Sequence, residues 1–388
     1  MRPERRRVVI AGALASRAGR GGSTWARMQW ALGFAQLGWD VLYLDRLDLD
    51  MCVDAGGRRC GVRASTGAAY FTEVMTAFGL EGRSSLVCDN GRHHVGVSRS
   101  SVLDHVRSSE LLINVMGFLD DDEILDAAPR RAFLDIDPGF TQLWHVKGLA
   151  DLLTGYDDLV TIGENIGHET CAIPACGARW ITTPQPVVLQ YWPVQHAPGE
   201  RFTSVASWRG AYGPLEHEGC TYGLRVHEFR RFAPLPRRSR AAFELALDID
   251  PAETKDLALL RQSGWQLVDP RRVAADPWAY RSYLQRSRGE FGVAKNIYVD
   301  TRSGWFSDRT MCYLASGRPA IVQDTGFAHR YPAEEGLIAF ATLDEAADAV
   351  EQVERDYRRH AEAARRVAVE HFGAERVVAR LVEKLGLS

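Results

Sequence analysis

The chain has 388 residues, 46% of them hydrophobic, enough apolar material for two α/β domains of ordinary size, each with its own buried sheet. A formal charge of −3 gives no global attraction to phosphate backbones or anionic lipid, so nucleic acid and membrane surfaces are poor partners. The opening residues hold too short an apolar run for a secretion signal, and no later stretch reaches membrane-spanning length without charges. A cytoplasmic enzyme is therefore expected. The 7 cysteines are odd in number and scattered, which fits reduced thiols. Cys171 and Cys176 have no second Cys/His pair at ligand spacing nearby, so no metal site is expected. Only Lys147, Lys255, Lys295 and Lys384 carry ammonium groups among the 47 basic residues, an arginine bias of the kind GC-rich bacterial genomes produce.

In chain order, the β-branched run 7–12 reads as a buried first strand entering a glycine-rich turn. Ser23 or Thr24 is placed to cap a helix starting at Trp25, and 38–45 supplies the next strand, so the opening is a βαβ unit with a parallel sheet. Apolar runs at 111–116, 131–137 and 159–163 read as further parallel strands. Their polar carboxyl ends are where open α/β sheets bind ligands. Asp135 and Asp137 stand at one such end, before the Pro138–Gly139 turn, and Glu164 follows the next strand. A carboxylate there can act as general base, or Asp137 can simply cap the turn. His93 and His94 fall in a polar turn. The prolines between 180 and 193 make an extended connector that closes the first domain.

The alternation restarts at 202–208, followed by the glycine-bearing loop Arg209–Gly213. Helices are expected at 223–232, 252–263 and 277–287, strands at 241–247 and 265–269, and one long amphipathic helix from Ala341 through His371 and beyond. The expected division is 1–193, 194–365, and a terminal helix over 366–388 that crosses back to the first domain. No Gly-x-Gly-x-x-Gly follows either opening strand, which argues against a dehydrogenase. Trp25, Trp30, Trp144 and Trp208 offer either stacking faces or ordinary core packing.

The most informative stretch is 287–327. A strand candidate runs into a glycine-containing loop, Ser307 or Asp308 caps a helix ending at Ala315, Gly317 closes it, and Pro319 leads into another strand and the loop Gln323–Gly326. A helix opened this way presents free amides and a positive dipole end to a diphosphate. Arg309 adds a fork that matches two phosphate oxygens.

The run from Phe306 to Val322, with its Leu-Ala-Ser-Gly-Arg-Pro core, resembles the donor-binding signature of GT-B glycosyltransferases, in the style of the spore-maturation type. The resemblance implies an α/β fold with two Rossmann-like domains facing each other across a cleft. It also implies sugar transfer from a nucleotide-diphosphate donor to a hydroxyl of a small acceptor, with no metal and no cofactor beyond that co-substrate. On the donor side it points to Ser307, Asp308, Arg309, Lys295 and Glu290, with Asp324, Thr325 and Gly326 near the sugar. On the acceptor side it points to the loop Gly21, Gly22, Ser23 and Thr24, and for the base to Asp137, Asp135 or Glu164. Many retaining members hold the ribose with a glutamate that would fall near Cys312, where this chain has no carboxylate; Asp308, one helical turn earlier, is the substitute. The departure leaves inversion or retention open. An epimerase of the same shape, or a binding protein without the chemistry, are the competing readings.

Overall fold

A computed structural model describes residues 5–89, 91–210 and 213–387. Residues 1–4, Asn90, Ala211 and Tyr212 of the second glycine loop, and Ser388 lie outside that range. The first lobe is built on β1 (Arg7–Gly12), β2 (Asp40–Arg46), β3 (Ser84–Cys88), β4 (His93–Gly96), β5 (Leu111–Val115), β6 (Arg131–Asp135), β7 (Asp158–Thr161) and β8 (Trp180–Thr182). Their order in the sheet is 4-3-2-1-5-6-7-8, and every pairing is parallel except β3 with β4. Central β5 is buried along its whole length because helices cover both faces, which is why its sequence does not alternate. His93 and His94, expected in a turn, lie on the antiparallel edge strand β4.

The second lobe carries β9 (Arg201–Ser207), a hairpin of β10 (Leu215–His217) and β11 (Cys220–Tyr222), then β12 (Ala242–Asp248), β13 (Gln266–Val268), β14 (Gly289–Gly292), β15 (Ala320–Gln323) and β16 (Leu337–Phe340). Six of these form an all-parallel sheet in the order 13-12-9-14-15-16. Strand order switches beside β1 in one sheet and beside β9 in the other. Such switch points are where the carboxyl ends of open sheets leave a crevice.

The first helix starts at Gly21, so Ser23 and Thr24 sit in its first turn rather than capping it, and the N-cap Arg20 makes no side-chain cap bond. A tertiary contact does the capping: the Gly21 amide donates to the Ala274 carbonyl of the second lobe at 2.8 Å. A Cβ on Gly21 would stand 2.0 Å from the Asp276 carbonyl oxygen, so only glycine permits this approach. The helix Gly21–Gln36 is buried on nearly every side because it lies between the first sheet and the second lobe. Trp25 packs edge-on against Phe78 and Trp278 and donates its indole hydrogen to the Pro277 carbonyl at 2.7 Å. Trp25, Trp30 and Trp208 are enclosed core residues, so they offer no stacking face to a ligand.

The tail is not one helix. Asp356 leaves helical geometry and caps a new helix by accepting the Arg359 amide, giving Leu343–Arg355 and Tyr357–Val367. A wider-wound turn, Ala368–Phe372, precedes the helix Ala374–Lys384. That last helix packs on Gly21–Gln36 in the first lobe, where Gly33 admits Val378. Val187 bonds both Phe372 and Ala374 through the backbone, and Arg130 donates to the Leu385 carbonyl at 2.8 Å. No helix among the described residues is long and apolar enough to cross a membrane.

Candidate active site

A cleft of about 840 Å³ lies between the lobes. Arg17–Arg20, Gly22 and Ser23 line it from the first lobe, and the ends of β9 and β12, Pro270–Arg271, Tyr280, Asp308 and Arg309 from the second. Two helix starts therefore face one crevice. At the second, Ser307 caps Asp308–Ala315 by accepting the Arg309 amide, so one of the amides expected for a phosphate is already engaged. Asp308 lines the cleft half-buried; burial pushes its carboxyl up, while Arg309 and Arg27 pull it back.

Arg309 reaches the cleft but is anchored below it. Its Nε donates to Glu290 Oε1 at 2.6 Å and its Nη1 to the Val205 carbonyl at 2.8 Å. Burial is the largest single influence and opposes the charge, but Glu290 together with Tyr280 and Tyr313 outweighs it, so the guanidinium is held more firmly protonated than a free arginine. Glu290 is fully enclosed, and its Oε2 has no partner. It serves as the buried counter-ion of Arg309, not as a surface acid.

Sequence reasoning missed Arg225, which opens the helix Arg225–Phe232. Burial first, and then the neighbouring Arg309 charge, push its guanidinium down to about 10. Tyr298, Glu290 and Asp137 stand close enough to offset part of that loss, yet among the described residues the guanidinium has no hydrogen-bond acceptor. Nothing in the run Arg225-Val-His-Glu-Phe-Arg-Arg singles this arginine out from the two that follow it.

Between the lobes, Asp137 accepts from Lys295 Nζ through both oxygens, at 2.8 and 2.7 Å, and from the Tyr298 hydroxyl. The Lys295 ammonium also lies 4.7 Å from the Phe140 ring centroid. Asp137 and Lys295, placed on opposite lobes from sequence, meet as one ion pair.

Asp135 is sealed: it takes hydrogen bonds from the Asp137 amide, Gln142 and Thr161, tying β6 to the next helix and to β7. Glu164 is covered by the Tyr331 hydroxyl, and burial pushes its carboxyl up. Asp324 caps its own turn by accepting the Gly326 amide at 2.9 Å, and the Thr325 hydroxyl donates to the Trp305 carbonyl. Gly326, at φ +91°, is pressed against Asn165, whose Nδ2 donates to the carbonyls of Arg302 and Gly326. Asp324–Gly326 thus belong to a seam between the lobes rather than to the open cleft.

A second buried charge lies beneath Gly22 and Ser23. Arg27 donates from Nη1 to the Ser23 carbonyl and hydroxyl, while its Nε has no partner. Nearby Asp45 accepts the amides of Leu14 and Arg46, but burial outweighs them and pushes it up to about 7. Burial likewise pushes Asp135 up to about 6. Both values lie above the ordinary 3.8, so the folded chain keeps protons that the unfolded chain has released. Their contribution to stability is complete below that ordinary value and is lost as pH rises through about 6 and 7. Asp45→Asn should melt with a shallower fall than the wild type from about pH 5 to pH 8. Equal slopes would mean that Asp45 is ionised throughout.

No known family model matches the chain, and no curated protein matches its sequence. Solved structures do match in shape. An α-glucosyltransferase in complex with UDP superposes with TM-score 0.62 at 10% identity, over 98% of this chain and 99% of the other. Sucrose-phosphate synthase from Thermosynechococcus elongatus gives 0.53 at 12% identity over 98% and 99% of the two chains. HepE of Anabaena, in complex with UDP and glucose, gives 0.56 at 9% over 98% and 99%. The chain has the GT-B fold: two Rossmann-like lobes facing each other across a cleft.

Proposed function

We propose that this protein is a glycosyltransferase that moves a sugar from a nucleoside-diphosphate donor in the cleft to a hydroxyl of a small acceptor held against the first lobe. Arg225 carries the reading. A guanidinium largely withdrawn from water, beside a second cation and without an acceptor, is stable only if an anion completes it. A diphosphate supplies that anion, and the solved structures of the same fold that hold UDP support the choice.

In this reading the nucleoside lies along Asp248–Pro251 and Pro270–Arg271, and Asp308 accepts from its ribose hydroxyls. The diphosphate lies near the start of Asp308–Ala315, with Arg225 and Arg309 beside it. As the acceptor oxygen bonds to the anomeric carbon, the bond from that carbon to the phosphate oxygen breaks. The leaving diphosphate takes the electron pair, and the fixed guanidinium charge stabilises it. Among the three carboxylates considered as base, Asp137 alone stands beside Arg225; proton transfer to it requires that Lys295 or Tyr298 release one of its oxygens.

A thermal-shift series with UDP, GDP, ADP and dTDP tests this directly. One of them should raise the melting temperature, since ligand at about 100 times its Kd adds about 2.7 kcal/mol to the folded state. No shift with any of the four would sink the reading. Incubation with the matching nucleotide sugar alone then separates transfer from epimerisation, because only an epimerase changes the donor sugar without an acceptor.

A further inference from the structure

The base of the donor is not fixed by resemblance, because at 10% identity a structure that holds UDP shares only its shape with this chain. The cleft itself narrows the choice. Asp248 ends β12 and Asp250 follows it, and both line the donor cleft and a branch of about 370 Å³ that continues from it past Ser207. Ile249, Pro251 and Pro270 supply apolar walls for a flat ring.

Two charged side chains in this corner are uncommitted. Trp208 bonds the Asp248 backbone carbonyl, but among the described residues the Asp248 carboxylate accepts no hydrogen bond. The neighbouring cation, Arg271, is taken up by Asp269. Asp250 keeps one oxygen on the Ala252 amide at 2.8 Å, and Glu253 holds Arg209. From the first lobe, Arg20 lines the same cleft and branch, and its guanidinium makes no hydrogen bond or ion pair among the described residues.

A carboxylate offers two acceptor oxygens side by side and no donor. Guanine answers it with two adjacent donors, N1–H and the 2-amino group, and carries the O6 acceptor next to them for an arginine. Uracil and thymine set N3–H between two carbonyls, so the second carboxylate oxygen would face a carbonyl oxygen. Adenine places its 6-amino donor beside the N1 acceptor. Polar groups left unmatched by the wrong ring discriminate sharply.

We infer that the donor is a guanosine-diphosphate sugar, with Asp248 accepting from N1–H and the 2-amino group and Arg20 facing O6 from the first lobe. The assignment of the base rests on the glycosyltransferase reading of the cleft.

Calorimetry on the full chain with GDP, UDP, ADP, inosine diphosphate and xanthosine diphosphate tests it. GDP should bind tightest. UDP and ADP, which share the ribose and diphosphate, and inosine diphosphate, which lacks only the 2-amino group, should bind about tenfold more weakly, the scale of one hydrogen bond to a charged group. The Asp248 side chain makes no bond within the described fold, so Asp248→Asn should fold normally. That variant should lose about tenfold for GDP and gain for xanthosine diphosphate, whose 2-oxo group accepts from an amide and is repelled by a carboxylate. Three results would overturn the inference: UDP or ADP binding as tightly as GDP, inosine diphosphate matching GDP, or Asp248→Asn weakening all five alike, as loss of a ribose contact would. If none of the five binds, the glycosyltransferase reading falls and the base assignment with it; a preference for another base ends the assignment alone.

Discussion

Arg225→Ala is expected to weaken nucleoside-diphosphate binding about tenfold to a hundredfold without lowering the melting temperature. The size follows from losing one or two hydrogen bonds to a charged group, each about 1.5–3 kcal/mol. The unchanged stability follows from the unliganded environment. Arg225 has no hydrogen bond to lose among the described residues, and removing it relieves the pressure of its charge on Arg309. Alanine here takes away an unfavourable charge from the empty site and a favourable one from the filled site. Arg309→Ala should behave otherwise. It strips fully buried Glu290 of its one side-chain hydrogen-bond partner among the described residues, and breaking a buried pair from one side costs about 3–5 kcal/mol. That variant loses stability and ligand together, so it cannot isolate binding. Paired melting curves and UDP titrations check both. If Arg225→Ala bound UDP normally, the diphosphate would lie elsewhere in the cleft.

Much of the frame was legible before the structure. The opening βαβ unit, the helix Asp308–Ala315 with its Ser307 cap, and Gly317 at φ +70° all follow from local chemistry that the sequence displays. The start of Gly21–Gln36 was not legible, because its first amide is satisfied by Ala274, more than two hundred residues away in sequence. Short elements such as β16 and the β10–β11 hairpin carry too few residues to show a period.

At the site the difficulty was of another kind. Asp135, Asp137 and Glu164 occupy equivalent places after parallel strands, so their sequence contexts look alike. Their fates diverge through partners contributed from afar: Gln142 and Thr161 enclose the first, Lys295 and Tyr298 hold the second, and Tyr331 covers the third. Arginine is abundant in this chain, so Arg225 was hidden among its own kind. Lys295 stood out by rarity and does face the other lobe.

Asp137→Asn and Lys295→Met should each reduce kcat/KM by about tenfold or more, and the double variant should be hardly worse than either alone. The two side chains come from opposite lobes and meet through both carboxylate oxygens, so removing either one breaks the same ion pair and leaves Asp137 with Tyr298 alone or Lys295 without its carboxylate. Coupling between residues that share such a bond is typically about 0.5–3 kcal/mol, well above the scatter expected for independent sites. The pair also sets where the lobes sit. It lies beside Arg225 and near the Gly163–Trp305 bridge and the Asn165 contacts, so loosening it should widen the crevice in which the diphosphate is gripped. KM for the donor should therefore rise along with the fall in kcat. A group acting purely as base would lower kcat and leave donor KM unchanged. Losses that simply add in the double variant would show that the ion pair is incidental and would return Asp137 to consideration as a base acting alone.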